Sequence, residues 1–294
     1  MKFNDKYENI KKLCESELLQ IEKIMINSVN LRDELYPYVV KFLTSPSKRI
    51  RPLVSVLYLK ACGYDIQNEH LQILSAVELV HNASLIHDDI IDESIVRRGE
   101  KTVSYEFGNK LGVICGDYLL SEAIGLLTKI GSADVIADFT STLRQMCIGE
   151  VNQHFEKFKI GTIDDYIEKS KNKTAYLFQT AVASPLIYSQ KPKEIISKAS
   201  NFALNFGIAF QMRDDILNLV SNDKSKPVKS DIKEGIYSAS VIYAKDAENY
   251  TAGVEKARCL LNNYIDKAKA DINDFDENIY SKALKELAEL LKYE

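Results

Sequence analysis

Two short acidic segments carry the side chains of this sequence that are best suited to chemistry. They are Asp88-Asp89-Ile90-Ile91-Asp92 and Asp214-Asp215-Ile216-Leu217-Asn218. In a helix, the first and last residues of each segment lie on one face with Cβ atoms about 5 to 6 Å apart. Like charges at this spacing repel unless a cation lies between them, and oxygen ligands suit Mg²⁺. An ordinary acidic surface turn is the alternative, but apolar neighbours make uncompensated carboxylates costly there.

Basic residues lie on both sides of the first acidic segment in the sequence. Lys48-Arg49-Ile50-Arg51 precedes it, and Arg97-Arg98-Gly99 follows it after four residues. His81 lies seven residues before Asp88, which is two helical turns along the same face. Mg²⁺ held by few carboxylates completes its coordination with water and substrate phosphates, and arginine presents a planar fork that matches phosphate oxygens. Although each basic cluster alone could be a solvated turn, together they predict a phosphate-containing substrate.

Long helices must position these side chains, and the spacing of apolar residues predicts them. Apolar residues recur at three- and four-residue steps between Asn68 and Ile91 and between Ala199 and Val220, around the two acidic segments. The same periodicity predicts helices over residues 5–27, 111–130, 134–158, 173–189, 239–249, 254–270 and 278–292. Twelve Gly and six Pro are too few turn-formers for a fold of many short strands.

The chain contains no Ser/Gly-rich linker and no convincing internal repeat. We therefore expect one all-α domain over residues 1–294, a bundle of roughly ten or more helices. The charged stretch from Ser221 to Ser238, directly after the second acidic segment, is expected to be the most flexible part.

Composition excludes several classes of function. The net charge of −4 and pI near 5.7 provide no basic footprint for nucleic acid. Five scattered cysteines without a CxxC pair predict neither a disulfide framework nor a zinc site. The polar start of the chain is unlike a secretion signal, and no stretch of about 18 uncharged apolar residues predicts a transmembrane helix. A cytoplasmic location is expected.

In order and spacing, these motifs resemble the trans-isoprenyl diphosphate synthases, the polyprenyl synthetase family of head-to-tail prenyltransferases. The resemblance runs from about Lys48 to Ser240. It rests on Ser84-Leu85-Ile86-His87-Asp88-Asp89-Ile90-Ile91-Asp92 followed by Arg97-Arg98-Gly99, and on the segment from Phe210 to Asn218. The resemblance implies an isoprenoid synthase fold, in which both acidic motifs face a deep central cavity, and a homodimer.

The same resemblance implies roles for individual residues. Mg²⁺ is expected on Asp88, Asp92 and Asp214. Isopentenyl diphosphate is expected on Lys48, Arg51, His81 and Arg98. The allylic diphosphate is expected on Arg97, and Lys226, which matches the family's lysine in the loop after the second motif, is expected to bind substrate. The catalytic residues, which balance the leaving diphosphate or face the allylic cation, are expected to be Lys173, Thr174 and Gln211.

Product length is expected to depend on the residues one turn before the first acidic motif. Ala83 and Ser84 are both small, and the motif has no insertion, which resembles medium- or long-chain polyprenyl synthases. A short-chain farnesyl or geranylgeranyl diphosphate synthase remains an alternative.

Three departures from the family pattern keep further alternatives open. Asn218 stands where a third Asp is usual, Ile236 stands where a Lys is usual, and Ser45-Pro46-Ser47 replaces the Gly before Lys48. The chain could therefore be a weakly active, diphosphate-binding subunit of a heteromeric synthase. A terpene cyclase would need a different metal pattern after Asp215.

Overall fold

The computed structural model describes the backbone of residues 3–220 and 230–292, and the side chains of residues 4–220 and 232–292. The described residues form fifteen α-helices, one π-helical turn and one two-stranded hairpin. The helices are α1 (Phe3–Lys12), α2 (Glu15–Ser28), α3 (Tyr36–Thr44), α4 (Ile50–Ala61), α5 (Asn68–Ile91), α6 (Val103–Phe107), α7 (Asn109–Ile130), α8 (Ala133–Glu156), α9 (Ile163–Ser170), α10 (Tyr176–Tyr188), α11 (Lys193–Val220), α12 (Ser230–Lys233), α13 (Ala239–Ala244), α14 (Thr251–Ala270) and α15 (Ile279–Glu289). The all-α prediction is confirmed.

The two predicted helices that carry the acidic motifs are present, and the motifs lie near their C-terminal ends. Helix α5 has the predicted bounds, and a capping box between Gln67 and His70 fixes its start. Helix α11 begins at Lys193, six residues before the predicted start. Helix α7 packs along α5, while α10 and α14 pack along α11. Both motifs are thereby fixed by core packing.

Several short helices differ from the prediction. The stretch 5–27 is two helices, α1 and α2, because the backbone turns at Leu13 and Cys14. Helices α3, α4 and α9 were not predicted. Helix α4 is buried on almost all sides, so it has no polar face and therefore no amphipathic period to detect.

A large hydrophobic core joins helices from both ends of the described chain. Its centre contains aromatic side chains of α4, α10 and α11: the rings of Tyr58 and Phe202 lie 5.4 Å apart, and those of Phe178 and Phe206 lie 5.5 Å apart. Within the described residues, α7 is the one helix long and apolar enough to cross a membrane by length and composition alone. Because α7 also packs against α5, this criterion does not distinguish it from a helix of a globular core.

A π-helical turn, Lys171–Ala175, joins α9 to α10. Two glycines allow the neighbouring helices to approach it closely. A Cβ atom on Gly149 of α8 would lie 2.6 Å from the Cβ of Asn172, and one on Gly207 of α11 would lie 2.6 Å from the Cα of Ala175. The turn is therefore held between α8 and α11, and π turns of this kind are frequent at functional sites.

Candidate active site

Asp88, the first carboxylate of the first acidic motif, is half-buried. Burial, together with the Glu150 and Asp92 carboxylates, raises its pKa to about 6 against the opposing effect of the Lys173 ammonium. Asp92 is exposed and caps the C-terminus of α5, and its N–H donates to the Asp88 carbonyl at 2.8 Å. The motif therefore concentrates carboxylate oxygens in a poorly solvated place, where a cation would be strongly stabilising.

Asp89, the middle residue of this motif, has a different environment. It is buried, accepts a hydrogen bond from Arg97 Nε at 2.8 Å and forms an ion pair with Arg97 Nη2 at 2.6 Å. A hairpin places that arginine: strands β1 (Val96–Arg97) and β2 (Glu100–Lys101) are joined by Arg98 and Gly99, whose φ angles of 52° and 81° match a type I′ turn. Asp89 is thus paired with protein and fixes Arg97 beside the motif.

The predicted cationic site for isopentenyl diphosphate is formed by the start of α4, the middle of α5 and the hairpin. Arg51 is buried, its guanidinium lies 4.9 Å from the centre of the Phe178 ring, and its Nε has no hydrogen-bond partner among the described residues. Burial lowers the pKa of Arg51 to about 10. Burial, together with Arg51 and Arg98, holds the pKa of His81 well below its usual range. Arg51 and Arg98 therefore lie close enough to His81 to disfavour its protonation, and guanidinium groups so placed could bind a diphosphate.

Arg49, between Lys48 and Arg51, does not share their environment. Its guanidinium is buried and pairs with Glu78 at 3.0 Å and Glu22 at 3.1 Å. Its backbone lies in the left-handed region at φ 48°, directly before α4 begins. Arg49 therefore ties the start of α4 to α2 and α5. Lys48 is exposed beside it, and its carbonyl accepts a hydrogen bond from the Tyr7 hydroxyl.

The second acidic motif is joined to the π turn by a chain of hydrogen bonds. Thr174 Oγ1 donates to Gln211 Oε1, and Gln211 Nε2 donates to Asp215 Oδ1 at 2.7 Å. The hydroxyl of Tyr166, a buried residue of α9, donates to Asp215 Oδ2 at 2.6 Å. Two of the predicted catalytic residues are therefore in direct contact. Asp214, the neighbouring predicted ligand, is exposed.

Charged groups on separate elements of the site interact electrostatically with the first aspartate of each motif. Lys173, on the π turn, lowers the pKa of Asp88 on α5. Asp214, on α11, raises the pKa of Arg51 on α4. A cleft beside them is lined by Lys173, Gln211, Asp215 and five further residues, Gln153, Lys169, Ser170, Ile236 and Ser238. Four separate helices thus bring the acidic, basic and amide groups to one place.

The donor set fits a divalent cation that is completed by a ligand. In the part of the chain that is described, no three His, Cys, Asp or Glu side chains converge closely enough to hold a metal alone. Asp88, however, is a hard oxygen donor whose pKa the Glu150 and Asp92 carboxylates raise, and oxygen donors of this kind are the ligands that Mg²⁺ prefers. An ion bound there would take its remaining oxygens from water or from substrate phosphate.

The remaining predicted residues lie at the edges of this site. Ala83 is fully buried and Ser84 is half-buried, with its hydroxyl donating to the His81 carbonyl at 2.8 Å. Ser84 precedes Asp88 by four residues and shares its face of α5. Asn218 is half-buried on α11. Lys226 lies outside the described residues, as does most of the stretch predicted to be flexible.

Four residues of the site were not predicted from the sequence. Tyr166 and Lys169 lie on α9, Glu150 on α8 and Glu78 on α5. Glu78, three residues before His81, could have been suspected as a charge in an apolar helix. The other three carry no local signal, because their role depends on how α8 and α9 approach the motifs.

By fold and site, this chain is an all-α enzyme built to act on diphosphates. More narrowly, it belongs to the polyprenyl synthetase family, whose sequence pattern matches residues 32–282. A prenyl transferase of Cyanidium caldarium is 34% identical over 234 residues, which is 78% of this chain and 72% of that protein. The chloroplastic solanesyl diphosphate synthase 1 of Arabidopsis thaliana is also 34% identical, over 68% of this chain and 52% of that protein.

Solved structures agree with this assignment. A heptaprenyl diphosphate synthase from Staphylococcus aureus superposes with a TM-score of 0.87 at 24% identity, covering 99% of this chain and 98% of that one. A geranylgeranyl pyrophosphate synthetase from the archaeon Geoglobus acetivorans superposes with a TM-score of 0.84 at 27% identity, covering 98% and 99%. The predicted family, fold and prenyltransferase class are therefore confirmed.

Proposed function

We propose that this protein condenses isopentenyl diphosphate with an allylic diphosphate, head to tail, and releases a medium- or long-chain polyprenyl diphosphate. The observation that carries the proposal is the electrostatic interaction of Asp88 with Lys173 and of Arg51 with Asp214, between groups on separate elements of the fold. Such a site can hold two diphosphates side by side, one on the buried cations and one near the carboxylates.

The side chains divide the work between binding and charge stabilisation. Arg51, His81 and Arg98 would hold isopentenyl diphosphate, and Lys173 would balance the negative charge of the leaving diphosphate. Thr174 donates its hydroxyl hydrogen to Gln211, so the face it turns to the substrate presents oxygen lone pairs. Those lone pairs would stabilise an allylic cation. The proton lost at the end of the reaction passes to the departing diphosphate, so no side-chain nucleophile is needed.

We further propose Mg²⁺ as the cofactor, held by Asp88, Asp92 and Asp214. One support is that the Glu150 and Asp92 carboxylates act electrostatically on Asp88, where a cation would offset their charge. The other is that no three metal-binding side chains converge among the described residues, so substrate phosphate would complete the coordination of the ion. Bound there, Mg²⁺ would withdraw electron density from the allylic diphosphate and weaken its C–O bond.

The proposed product length rests on the curated relatives and on α5. The relatives include a solanesyl diphosphate synthase and a decaprenyl-diphosphate synthase. Ala83 and Ser84, in the turn of α5 before Asp88, both have small side chains. A shorter, geranylgeranyl-type product is the second candidate, because archaeal geranylgeranyl pyrophosphate synthetases match essentially the whole chain at 26 to 27% identity.

The test is to incubate the purified protein with Mg²⁺, labelled isopentenyl diphosphate and geranyl, farnesyl or geranylgeranyl diphosphate, and to size the products by chromatography. We expect chains longer than twenty carbons. Failure to elongate any primer would reject the enzymatic proposal and favour the weakly active subunit. Ser84→Phe should shorten the product, since Ser84 lies on the Asp88 face, and the adjacent Ala83→Phe tests the fully buried position. Unchanged lengths in both variants would show that the product does not extend along this part of α5.

We propose three further properties, each from one observation. One domain spans the chain, because a continuous core joins residues from Tyr7 to Leu291. The protein is a homodimer, because α7 exposes Val113 and Ile114. It is cytoplasmic, in keeping with its free cysteines. Light scattering of the purified protein tests the dimer, and a monomer at micromolar concentration would contradict it.

A further inference from the structure

The segment after the second acidic motif lacks a cation at a position where the family resemblance leads one to expect it. Ile236 occupies that position, and it lines the cleft that also contains Asp215 of the second motif. The backbone on either side of it is fixed. The Gly235 carbonyl accepts a hydrogen bond from the Phe158 N–H at 2.9 Å, and the Tyr237 carbonyl accepts one from Lys169 Nζ at 3.0 Å.

Lys169 brings an ammonium group to this same place from another element. It lies on α9, four residues before Lys173, and both lysines line the cleft together with Ile236. The ammonium of Lys169 contacts the carbonyl of the residue that follows Ile236. The cation missing from the segment is therefore supplied from α9, within one residue of the expected position.

The surroundings of Lys169 fit an anion. Ser238, on the same cleft, has a buried hydroxyl with no hydrogen-bond partner among the described residues. The neighbouring carboxylate, Asp215, already accepts hydrogen bonds from Tyr166 and Gln211. An anion entering the cleft would meet two ammonium groups and a hydroxyl donor. The carbonyl that Lys169 now contacts is neutral, and a charge-assisted bond to phosphate is stronger.

We propose that Lys169 binds the diphosphate of the allylic substrate, together with Lys173, in place of the lysine that the 234–238 segment lacks. The inference rests on the proposed function for the identity of the anion. A flexible four-carbon stem lets the ammonium turn from the Tyr237 carbonyl to a phosphate oxygen without movement of the helix.

The first experiment compares Lys169→Met with the matched control Lys171→Met. Lys171 belongs to the same connection but pairs with Glu168 at 3.1 Å, outside the cleft. In Lys169→Met we expect the KM for the allylic diphosphate and the inhibition constant of inorganic pyrophosphate to rise about tenfold, as expected for loss of one charged hydrogen bond. The KM for isopentenyl diphosphate should stay within twofold, and Lys171→Met should resemble the wild type.

The second experiment separates binding from a structural role. If Lys169 only clamps the Tyr237 carbonyl, the double variant Lys169→Met/Ile236→Lys will remain defective. If it supplies a cation to the cleft, the new lysine at 236 will restore the KM for the allylic diphosphate to within about threefold of wild type. Thermal melting of each variant shows that it is folded. Failure of the rescue, or an equal rise in both KM values, would overturn the inference.

Failure of the proposed function is distinguishable from failure of this inference. If the wild-type protein elongates no primer, calorimetric titration with inorganic pyrophosphate and Mg²⁺ still compares the wild type with Lys169→Met. Binding that weakens in Lys169→Met but not in Lys171→Met supports the anion site although the enzyme proposal fails. Equal binding by all three proteins overturns the site.

Discussion

Tyr166 lies at one end of a hydrogen-bond chain that leads to the hydroxyl of Thr174. Its hydroxyl donates to Asp215 Oδ2 at 2.6 Å, while Gln211 Nε2 donates to Oδ1 at 2.7 Å. With its amide nitrogen committed to Asp215, Gln211 must accept from Thr174 through Oε1. The carboxylate therefore sets the orientation of the amide, and the amide sets the direction of the Thr174 hydroxyl.

Tyr166→Phe removes one donor from this chain and keeps the buried ring. A hydrogen bond to a charged group contributes about 1.5 to 3 kcal/mol, and we expect the free energy of unfolding to fall by about that amount. The Asp215 carboxylate would then have one hydrogen bond fewer to fix its orientation, and Gln211 would be held less firmly. If about 1.4 kcal/mol of that loss appears in the barrier for ionisation, kcat falls roughly tenfold. The KM for isopentenyl diphosphate should not change, because Arg51 and His81 take no part in these hydrogen bonds.

The assay is a double-mutant cycle on kcat with Tyr166→Phe and Thr174→Val. If Tyr166 acts through Gln211 and Thr174, its removal should cost little more once the Thr174 hydroxyl is gone, giving a coupling energy of about 1 kcal/mol. Thr174→Ser keeps the hydroxyl and should remain sensitive to Tyr166→Phe. Tyr58→Phe, at an equally buried position in the aromatic core, is the control. Additive effects, or the same loss of kcat in the control, would refute a positioning role.

Three further outcomes are expected. Gly207→Ala places a Cβ 2.6 Å from the Ala175 Cα, so we expect the free energy of unfolding, measured with denaturant, to fall by about 1 to 3 kcal/mol and kcat to fall as well. In the control Gly125→Ala the new Cβ meets no atom within 4 Å, and activity should be unchanged. Glu78→Gln leaves the buried Arg49 with one carboxylate fewer and should cost roughly 3 kcal/mol; a loss below 1 kcal/mol would contradict the pairing. Burial lowers the pKa of His70, so the unfolded chain binds the proton more readily and stability should fall as the pH drops below about 6.5, by at most about 1.4 kcal/mol per pH unit. Urea unfolding from pH 5 to 8 should show a smaller slope in His70→Gln than in the wild type; a slope remains because the pKa of His81 is also lowered.

Sequence periodicity predicted the helices that carry the motifs because each has a long apolar stripe. Helix α5 has the predicted bounds, whereas α4 went undetected because apolar residues surround it. The hairpin at residues 96–101 lacked its usual signal, since Arg98 occupies a left-handed position where Asn or Gly is typical. Local pattern therefore identifies long amphipathic elements, while fully buried or irregular ones depend on tertiary packing.

For the site, the sequence motifs and the family resemblance identified the residues, and the structure adds their pairings. Thr174 and Gln211 were both predicted, but the single hydrogen bond that joins them depends on the π turn lying between Gly149 and Gly207. Lys169 and Tyr166 lie on α9, a helix whose existence was not predicted. No local pattern could place them in the site, because their approach to α11 is set by that close packing.

The pairings also explain why two acidic motifs of unequal sequence can act as one site. In each motif the middle aspartate is committed to protein: Asp89 to Arg97, and Asp215 to Tyr166 and Gln211. The first aspartate of each motif instead interacts electrostatically with a cation on another element. Asp88 interacts with Lys173 on the π turn, and Asp214 interacts with Arg51 on α4. With Asn218 at the last position of the second motif, the Asp214 carboxylate therefore remains in place, and so does Asp215 with its hydrogen bonds to Tyr166 and Gln211. On this reasoning, Asn218→Asp should alter the Mg²⁺ concentration needed for half-maximal rate more than kcat at saturating Mg²⁺, and a large change in saturated kcat would contradict it.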